Sequence, residues 1–339
     1  MADVLKTGTS YFGNRILKYV EQDMKGLKQG NCNLVVHVFS ENDLQYYSQT
    51  MKEMVTISHE QGLEVYMDPW GVGQVFGGEA YSSFLYKNLG SWQVTSQGNP
   101  APIACLNDSV FNDFMKSWVE KAVETGTDVV FWDEPHWYLG EWFDRGRDEW
   151  GCLCKTCRAL FCEAYGYEMP TSLSQVVLEF REKKILDFLD RMASYVKKIS
   201  GGKVRNAVCL LPVDDPRQGF MDWGKVCALP VIDVIGTDPY WISFERDCSE
   251  FVGAYSRKVV DLCARYQKEG QIWIQAYRIP KGREKELAQA VQVAYDAGVR
   301  NLAAWSLYAC DHMSYLRSDD SPKVWETLLS AYGKLHDAF

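Results

Sequence analysis

The stretch VFNDFMKSWVEKAVETGTDVVFWDE, residues 110 to 134, shows the pattern from which the whole chain is built. Apolar residues at helical spacing predict a helix from Val110 to Thr125, and Gly126 follows it as glycine commonly follows a helix. The β-branched and aromatic run from Asp128 to Trp132 predicts a buried strand. Asp133 and Glu134 come directly after that strand. Alternating helices and buried strands are typical of α/β folds with a parallel sheet.

The same order of helix, glycine and strand recurs along the chain. We predict eight strands, at Ser10–Phe12, Leu34–Phe39, Leu63–Asp68, Asp128–Trp132, Val204–Leu211, Val231–Gly236, Ile272–Ala276 and Asn301–Trp305. Other helical patterns cover Leu44–Gln61, Leu173–Ile199, Glu250–Glu269 and Glu284–Ala297, and they end near Gly62, Gly201, Gly270 and Gly298. Eight strand-helix units of roughly forty residues each predict a single (β/α)8 TIM barrel over residues 1–339. A doubly wound open sheet has the same alternation and is the alternative.

The charge balance of the chain argues against several classes of partner. There are 36 Lys and Arg residues against 45 Asp and Glu residues, the net charge is −9, and no basic run is present. We therefore expect neither nucleic acid nor an anionic membrane surface as a partner. The first thirty residues contain neither the apolar core of a secretory signal nor a spanning segment. We expect a cytoplasmic protein, and a homo-oligomer is compatible with this composition.

The residues that follow the predicted strands are rich in carboxylates and aromatic rings. In a barrel the C-terminal strand ends converge on one pocket. The residues that we expect there are His37, Asp68, Trp70, Asp133, Glu134, His136, Asp238, Tyr240, Trp241, Gln275, Tyr277 and Trp305. Flat aromatic rings suit the C–H faces of sugars, while carboxylates and amides bind the hydroxyl groups. This composition predicts a carbohydrate site, although most of the aromatic residues are expected simply to fill the core.

A glycine-rich stretch, YMDPWGVGQVFGGEAYSSF at residues 66–84, follows the third predicted strand. Its glycines do not have the spacing of a dinucleotide-binding fingerprint. We predict a close-fitting loop that carries Asp68, Trp70 and Glu79 across the mouth of the pocket. Glu79 is a further candidate carboxylate, and a simple turn role for the glycines is the alternative.

Three cysteines are clustered in GCLCKTC, at Cys152, Cys154 and Cys157. Thiolates at positions i, i+2 and i+5 can surround one ion, and a fourth ligand would complete the tetrahedron of a closed, structural zinc site. Cys162 competes for the fourth position, but its place on a predicted helix directs it toward the core. Unligated reduced thiols are the alternative. The remaining cysteines are predicted to be small buried apolar residues.

The segment from Cys105 to Tyr165 resembles the tetrahedral-cysteine segment of family 42 β-galactosidases and related barrel glycosidases. The resemblance is carried by WDEP at the fourth strand and by GCLCKTCRALFCEAYGYEMP after it. It implies a glycosidase in which Glu134 is the acid/base residue. It also implies a zinc ion held by Cys152, Cys154 and Cys157 with Cys105 as the fourth ligand, in an excursion from the barrel at about residues 136–170. It implies no particular substrate.

The sequence departs from retaining barrel glycosidases at the seventh strand. Those enzymes end strand four in Asn-Glu and strand seven in a nucleophilic Glu, whereas this chain has Asp133-Glu134 and Gln275. An amide cannot attack an anomeric carbon as a carboxylate does. Asp238 at the sixth strand is one alternative partner for Glu134. Asp133 and Glu134 acting as a pair, as in hexosaminidases that use the acetamido group of the substrate, is another. The third is a barrel that binds carbohydrate without cleaving it.

The adjacent carboxylates have predictable electrostatic consequences. Pro135 predicts an extended backbone at Glu134. Mutual repulsion and the neighbouring aromatic rings should raise one carboxyl pKa, which leaves an acid protonated near neutral pH. Glu134 has the longer side chain and is the predicted proton donor. The hypothesis from sequence is a glycoside hydrolase that acts on a small saccharide, with Asp238 or Asp133 as the partner of Glu134.

Overall fold

Eight parallel strands close into a barrel in the structure, a computed structural model that describes residues 4–12, 14–143, 145–146 and 148–339. The barrel strands are β1 (Lys6–Tyr11), β2 (Leu34–Val38), β3 (Glu64–Asp68), β6 (Val129–Asp133), β7 (Arg205–Leu210), β8 (Val234–Thr237), β9 (Glu269–Gln275) and β10 (Asn301–Trp305). Their order around the barrel is β1-β10-β9-β8-β7-β6-β3-β2. The predicted (β/α)8 barrel is confirmed, and the open sheet is excluded because β1 pairs with both β2 and β10.

Eleven α-helices lie in the part of the chain that the structure describes. They are α1 (Leu17–Gln29), α2 (Glu41–Tyr46), α3 (Ser48–Glu60), α4 (Ser83–Lys87), α5 (Ser109–Glu124), α6 (Lys155–Tyr165), α7 (Gln175–Ile199), α8 (Trp223–Cys227), α9 (Cys248–Tyr266), α10 (Lys285–Asp296) and α11 (Ser321–Ala338). None of these helices is long and apolar enough to cross a membrane.

Two helix predictions need correction. The single helix expected over residues 44–61 is two helices, because the chain leaves the helical conformation at Tyr47 (φ −127°, ψ 14°). The first of them begins with a capping box between Ser40 and Asp43. Gly270 does not end a helix but lies within β9, and α9 ends instead at Gln267 in the left-handed conformation (φ 56°). The other predicted glycines all have positive φ, as expected for residues at helix ends.

Each barrel strand is buried on both faces over most of its length. Residues such as Val36, Tyr66, Phe131 and Trp273 pack inside the barrel, while their neighbours, such as Val65, pack against the surrounding helices. Because side chains alternate along a strand, the last inward positions carry the side chains that reach the C-terminal opening. Those positions hold the polar residues of the candidate site.

A small second layer covers one side of the opening after β6. The short strands β4 (Trp92–Val94) and β5 (Pro100–Ala104) form an antiparallel pair. Residues around Trp150 and Gly151 pair with the loop of that hairpin, and Leu153 N donates to Val94 O at 2.7 Å. The segment also has its own apolar cluster, which includes Trp150, Phe161 and Phe180. This packing brings the cysteine-rich segment next to the hairpin that precedes Cys105.

Candidate active site

A cavity of about 220 Å³ opens at the C-terminal end of the barrel, and we call it the acid pocket. Three carboxyl groups line it, from Asp133, Glu134 and Asp238, and a fourth, from Glu79, lies at the exposed rim. The remaining lining residues are Gly78, Phe131, Trp142, Leu211, Tyr240, Ser243, Phe244, Trp273, Tyr277 and Trp305. The acid pocket therefore brings together seven of the residues predicted for this site: Glu79, Asp133, Glu134, Asp238, Tyr240, Tyr277 and Trp305.

Asp133 and Glu134 both face the acid pocket although they are adjacent in sequence. Asp133 is the last residue of β6, on the same face as Phe131. Glu134 has a φ of 42°, in the left-handed region that is uncommon for residues other than glycine. The expectation of an extended backbone at Glu134 is thus wrong. The positive φ turns the chain out of the strand, while Glu134 N still bonds to Cys209 O at 3.1 Å. The turn directs consecutive side chains to one side.

Gly77 lies directly against both carboxyl groups. A Cβ added at Gly77 would be 2.5 Å from Asp133 Oδ2 and 2.8 Å from Glu134 Oε2. Gly77 N donates to Asp133 O at 3.0 Å, and Gly77 O accepts from Gly71 N at 2.8 Å. At the next residue, Gly78, a Cβ would collide with the ring of Trp70 at 1.7 Å. These glycines therefore allow the close-fitting loop that the sequence predicted.

The carboxyl groups of the acid pocket perturb one another. Burial raises the pKa of Glu134 well above its ordinary range, and the neighbouring Asp238 carboxylate raises it further. Burial also raises the pKa of Asp238, to about 7, although the hydrogen bond from Glu134 opposes this shift. For Asp133, burial and the charge of Glu134 act in the same upward direction on the pKa. These upward shifts favour the protonated form of the carboxyl groups, with Glu134 as the proton donor toward Asp238.

Asp68 is buried behind this set and does not line the acid pocket. Its side chain has no solvent exposure, and neither carboxyl oxygen has a hydrogen-bond partner among the described residues. Burial raises the pKa of Asp68 well above its ordinary range, and the charge of Asp133 adds to the shift. A neutral carboxylic acid is the form that such surroundings favour.

Aromatic rings form one wall of the site. Phe12 stacks on Trp305 with ring centroids 5.1 Å apart and on Trp70 at 5.4 Å. On the opposite side Tyr240 meets Tyr277 edge to face at 5.3 Å. Trp305 and the two tyrosines line the cavity, whereas Trp70 supports Trp305 from behind.

Three other predicted residues lie outside the pocket wall. His37 faces the helices and shares a hydrogen bond with Ser58 of α3 at 2.9 Å, and burial lowers its pKa to about 3. Trp241 is buried against α10, where its Nε1 donates to Glu286. His136 is buried and donates from Nδ1 to the carbonyl oxygen of Glu134 at 2.7 Å. In each case the side chain serves packing or positioning.

Gln275 also does not line the cavity, although it lies on the inward face at the end of β9. Its Oε1 accepts from Ile242 N at 3.0 Å, and its Nε2 donates to Ser243 Oγ at 3.1 Å and to Tyr277 O at 3.2 Å. The amide therefore fastens the loop after β8. A carboxylate could accept the first bond but could not donate the other two.

Sequence reasoning missed part of the pocket wall. Phe131 and Trp273 line it from inward positions two residues before their strands end. The alternation of side chains along a strand could have identified both residues from the sequence. Trp142, Leu211, Ser243 and Phe244 come from loops. No periodic pattern marks them.

Four cysteine sulfurs converge beside the barrel. The Sγ atoms of Cys105, Cys152, Cys154 and Cys157 all lie within 4.8 Å of one another, and this is the only such convergence of His, Cys, Asp or Glu donors among the described residues. Asn107 Nδ2 donates to Cys157 Sγ at 3.2 Å. A tetrahedron of buried thiolates fits a metal ion of the soft or borderline class, and such a site can hold one. Cys162 is exposed, so the expectation that it points into the core is wrong.

Similar solved structures support the barrel assignment. The catalytic domain of β-amylase from Paenibacillus polymyxa has a TM-score of 0.69 at 11% identity, over 97% of this chain and 99% of that one. This chain shares the (β/α)8 barrel fold of that enzyme. The endo-1,4-β-mannanase from Rhizomucor miehei follows with a TM-score of 0.65 at 11% identity, over 98% and 95% of the two chains. The endo-β-1,4-mannanase from Thermotoga petrophila has a TM-score of 0.62 at 11% identity, over 98% and 77%.

Likeness at this level of identity is a likeness of fold. No protein-family model matches the sequence, and no curated protein is significantly similar to it. The reaction must therefore be argued from the residues of the acid pocket.

Proposed function

We propose that this protein hydrolyses an O-glycosidic bond, with Glu134 as the proton donor to the leaving oxygen. The observation that carries the proposal is the convergence of Glu134 and Asp238 in an aromatic-lined pocket at the C-terminal barrel opening. Glycoside hydrolysis commonly uses one protonated and one ionised carboxyl group on opposite sides of the scissile bond. Burial and the neighbouring Asp238 carboxylate raise the pKa of Glu134, which supports Glu134 as the protonated partner.

The pair suggests how substrate entry and proton transfer are linked. Without substrate, Glu134 donates its proton to Asp238 in a hydrogen bond. A substrate bound with its glycosidic bond between the two groups and its glycosidic oxygen next to Glu134 would move the carboxyl groups to the separation of about 5 Å or more that the reaction needs, take over the proton donor and leave Asp238 as an anion. Asp238 then attacks the anomeric carbon or activates water on the side opposite to the leaving group. Trp305 and Tyr277 offer flat rings to the sugar bound in the pocket.

A second candidate assigns the partner role to Asp133. Asp133 Oδ2 and Glu134 Oε2 both lie next to Gly77, so the two carboxyl groups face the same space. In hexosaminidases with an Asp-Glu pair, the acetamido group of the substrate supplies the nucleophile and the Asp orients it. Under this candidate the substrate carries an N-acetyl group and Asp238 is dispensable.

Hydrolysis of a panel of aryl glycosides by the wild type and by Glu134→Gln tests the proposal. We expect cleavage of at least one glycoside by the wild type and a loss of turnover in the variant with retained binding. Binding of sugars, followed by tryptophan fluorescence, without cleavage of any glycoside would favour a non-catalytic carbohydrate-binding barrel, for which Gln275 at the usual nucleophile position is the supporting observation.

We further propose that the four-cysteine site holds a structural zinc ion. Cys105, Cys152, Cys154 and Cys157 would be its ligands, and a closed four-sulfur site leaves no open position for a substrate. Its contribution is to tie the hairpin of β4 and β5 to the cysteine-rich segment. All eleven cysteines are free thiols in the structure, which supports a reducing, cytoplasmic location.

A further inference from the structure

A second and larger cavity, of about 650 Å³, adjoins the acid pocket. The two cavities share Trp142, Leu211 and Phe244 in their walls, so they are direct neighbours. The second cavity extends between the loops after β6, β7 and β8 and reaches Tyr255 of α9. Its volume falls within the range of about 300–1,000 Å³ that is common for ligand sites, whereas the acid pocket is smaller.

Trp142 stands at the junction of the two cavities and is fixed relative to the proton donor. Its side chain is 47% exposed, which is unusual for an indole that serves only packing. The ring of His136 packs against it with centroids 4.6 Å apart. His136 in turn bonds to the carbonyl oxygen of Glu134. The indole is thus an accessible flat surface at a set position beside Glu134.

The second cavity also contains an unused hydrogen-bond acceptor. Gln218 lines it, is only 1% exposed, and donates from Nε2 to Phe220 O at 3.2 Å. Its Oε1 has no partner among the described residues. Burying an amide oxygen without a hydrogen-bond donor costs free energy, so Gln218 favours a ligand that supplies a hydrogen-bond donor. A hydroxyl group is such a donor.

The charges of the second cavity are largely paired. Glu141, Asp214 and Asp215 line it together with Arg246. Arg217 bonds to both Glu141 and Asp215, and it thereby joins the loop after β6 to the loop after β7, while Lys258 pairs with Asp214 at 3.7 Å. A charged ligand would have to compete with these ion pairs, whereas a neutral hydroxylated ligand would not.

We infer that the second cavity binds the leaving-group side of the substrate, as a further neutral sugar unit linked to the sugar in the acid pocket. The inference rests on the proposed function, because Glu134 lines the acid pocket and is linked through His136 to Trp142, which both cavities share, so the bond to be cleaved lies near their common wall. The acid pocket has room for a single terminal sugar. The enzyme therefore removes terminal units from an oligosaccharide, and binding energy in the second cavity increases kcat/KM.

A steric block in the second cavity tests this assignment. Val213 lines that cavity but not the acid pocket, so Val213→Trp should fill the space without touching the catalytic carboxyl groups. The matched control is Val110→Trp on the exposed surface of α5. The substrates are the methyl glycoside of a sugar that the wild type cleaves, whose leaving group is too small to fill the second cavity, and the di- and trisaccharides that end in the same sugar. Thermal melting of both variants checks that they fold.

In the wild type we expect kcat/KM to rise about tenfold or more from the methyl glycoside to the trisaccharide, with one sugar released per cleavage. Val213→Trp should abolish that rise and leave the methyl glycoside within about twofold. An equal loss of kcat/KM on both substrates in Val213→Trp would overturn the inference while leaving the proposed function intact. A wild-type kcat/KM that does not depend on chain length would do the same. A wild type that cleaves no glycoside at all would remove the proposed function, and the inference would fall with it.

Discussion

Gln275 Nε2 donates a hydrogen bond to Ser243 Oγ at 3.1 Å, which ties the end of β9 to the loop after β8. The same amide accepts from Ile242 N, so both of its polar atoms are in use. In barrel glycosidases of the retaining type this position holds the nucleophile. Here it shapes the loop that carries Phe244 into the pocket wall.

Gln275→Glu should therefore destabilise the protein rather than restore a nucleophile. A carboxylate cannot donate to Ser243 or to Tyr277 O, and it is fully buried there. We expect a loss of about 1–3 kcal/mol in the free energy of unfolding, measured by urea denaturation. Gln97→Glu on the exposed loop between β4 and β5 is the control. Unchanged stability with increased activity would show instead that Gln275 occupies a position where a carboxylate restores the nucleophile.

Glu134→Gln should lower turnover by about 10²–10⁴ because it removes the transferable proton and keeps the shape of the side chain. The loss should shrink for aryl glycosides with good leaving groups, which need little protonation. Steady-state kinetics over a series of leaving-group pKa values measures this dependence. Glu60→Gln, on the exposed end of α3, should change nothing. An equal loss for all leaving groups would argue that Glu134 has another role.

The pKa of Asp238, raised to about 7, predicts the pH dependence of both activity and stability. As a base or nucleophile Asp238 must be ionised, so kcat/KM should rise with pH through about 7. The folded state holds a proton on Asp238 that the unfolded state releases near pH 4, so stability should fall as pH rises between the two values. The effect is on the order of 1.4 kcal/mol per unit of pKa difference.

Asp238→Asn separates these two consequences. The variant should lose activity at every pH, for good and poor leaving groups alike. It should also unfold at a higher urea concentration than the wild type above pH 7, because the buried charge is gone. Full activity in this variant, together with cleavage of N-acetylated substrates, would support Asp133 as the partner.

Gly77→Ala should disturb both carboxyl groups through contact alone. The added Cβ would lie 2.5 Å from Asp133 Oδ2 and 2.8 Å from Glu134 Oε2, so both side chains must move. A displacement of this kind can cost about 10²-fold in kcat. Gly90→Ala is the matched control, since nothing lies within 4 Å of its Cβ position. Kinetics alongside melting curves would show whether the effect is on catalysis; wild-type kcat in Gly77→Ala would mean that the carboxyl positions are not critical.

Cys154→Ser should remove the metal and lower the melting temperature. Metal content by elemental analysis should be near stoichiometric in the wild type and absent in the variant, because a structural zinc site contributes directly to folding. Cys162→Ser changes an exposed thiol outside the cluster and should retain both metal and stability. Metal-free wild-type protein with an unchanged melting temperature in the variant would rule out the zinc site.

Local sequence was sufficient for the architecture and for the location of the site. Eight apolar runs, the glycines after helices, and the carboxylates after strands are short-range signals, since helix and strand periodicity are properties of neighbouring residues. Parallel barrel geometry then requires Asp133, Asp238 and Trp305 to share one opening. The same local reasoning identified Cys152, Cys154 and Cys157 as a cluster.

Only the tertiary structure decided which side chains enter the pocket. Both faces of β2 are buried and rich in apolar residues, so the run LVVHV at residues 34–38 does not reveal that His37 points outward to Ser58. The left-handed backbone of Glu134 overrides the local preference before Pro135, because the chain must turn beneath the Gly77 loop. Trp142 and Phe244 reach the site through loops whose paths depend on packing between distant segments. The periodicity of apolar residues predicts helices, strands and their buried faces. The course of a loop depends on contacts between distant residues, which no short window of sequence contains.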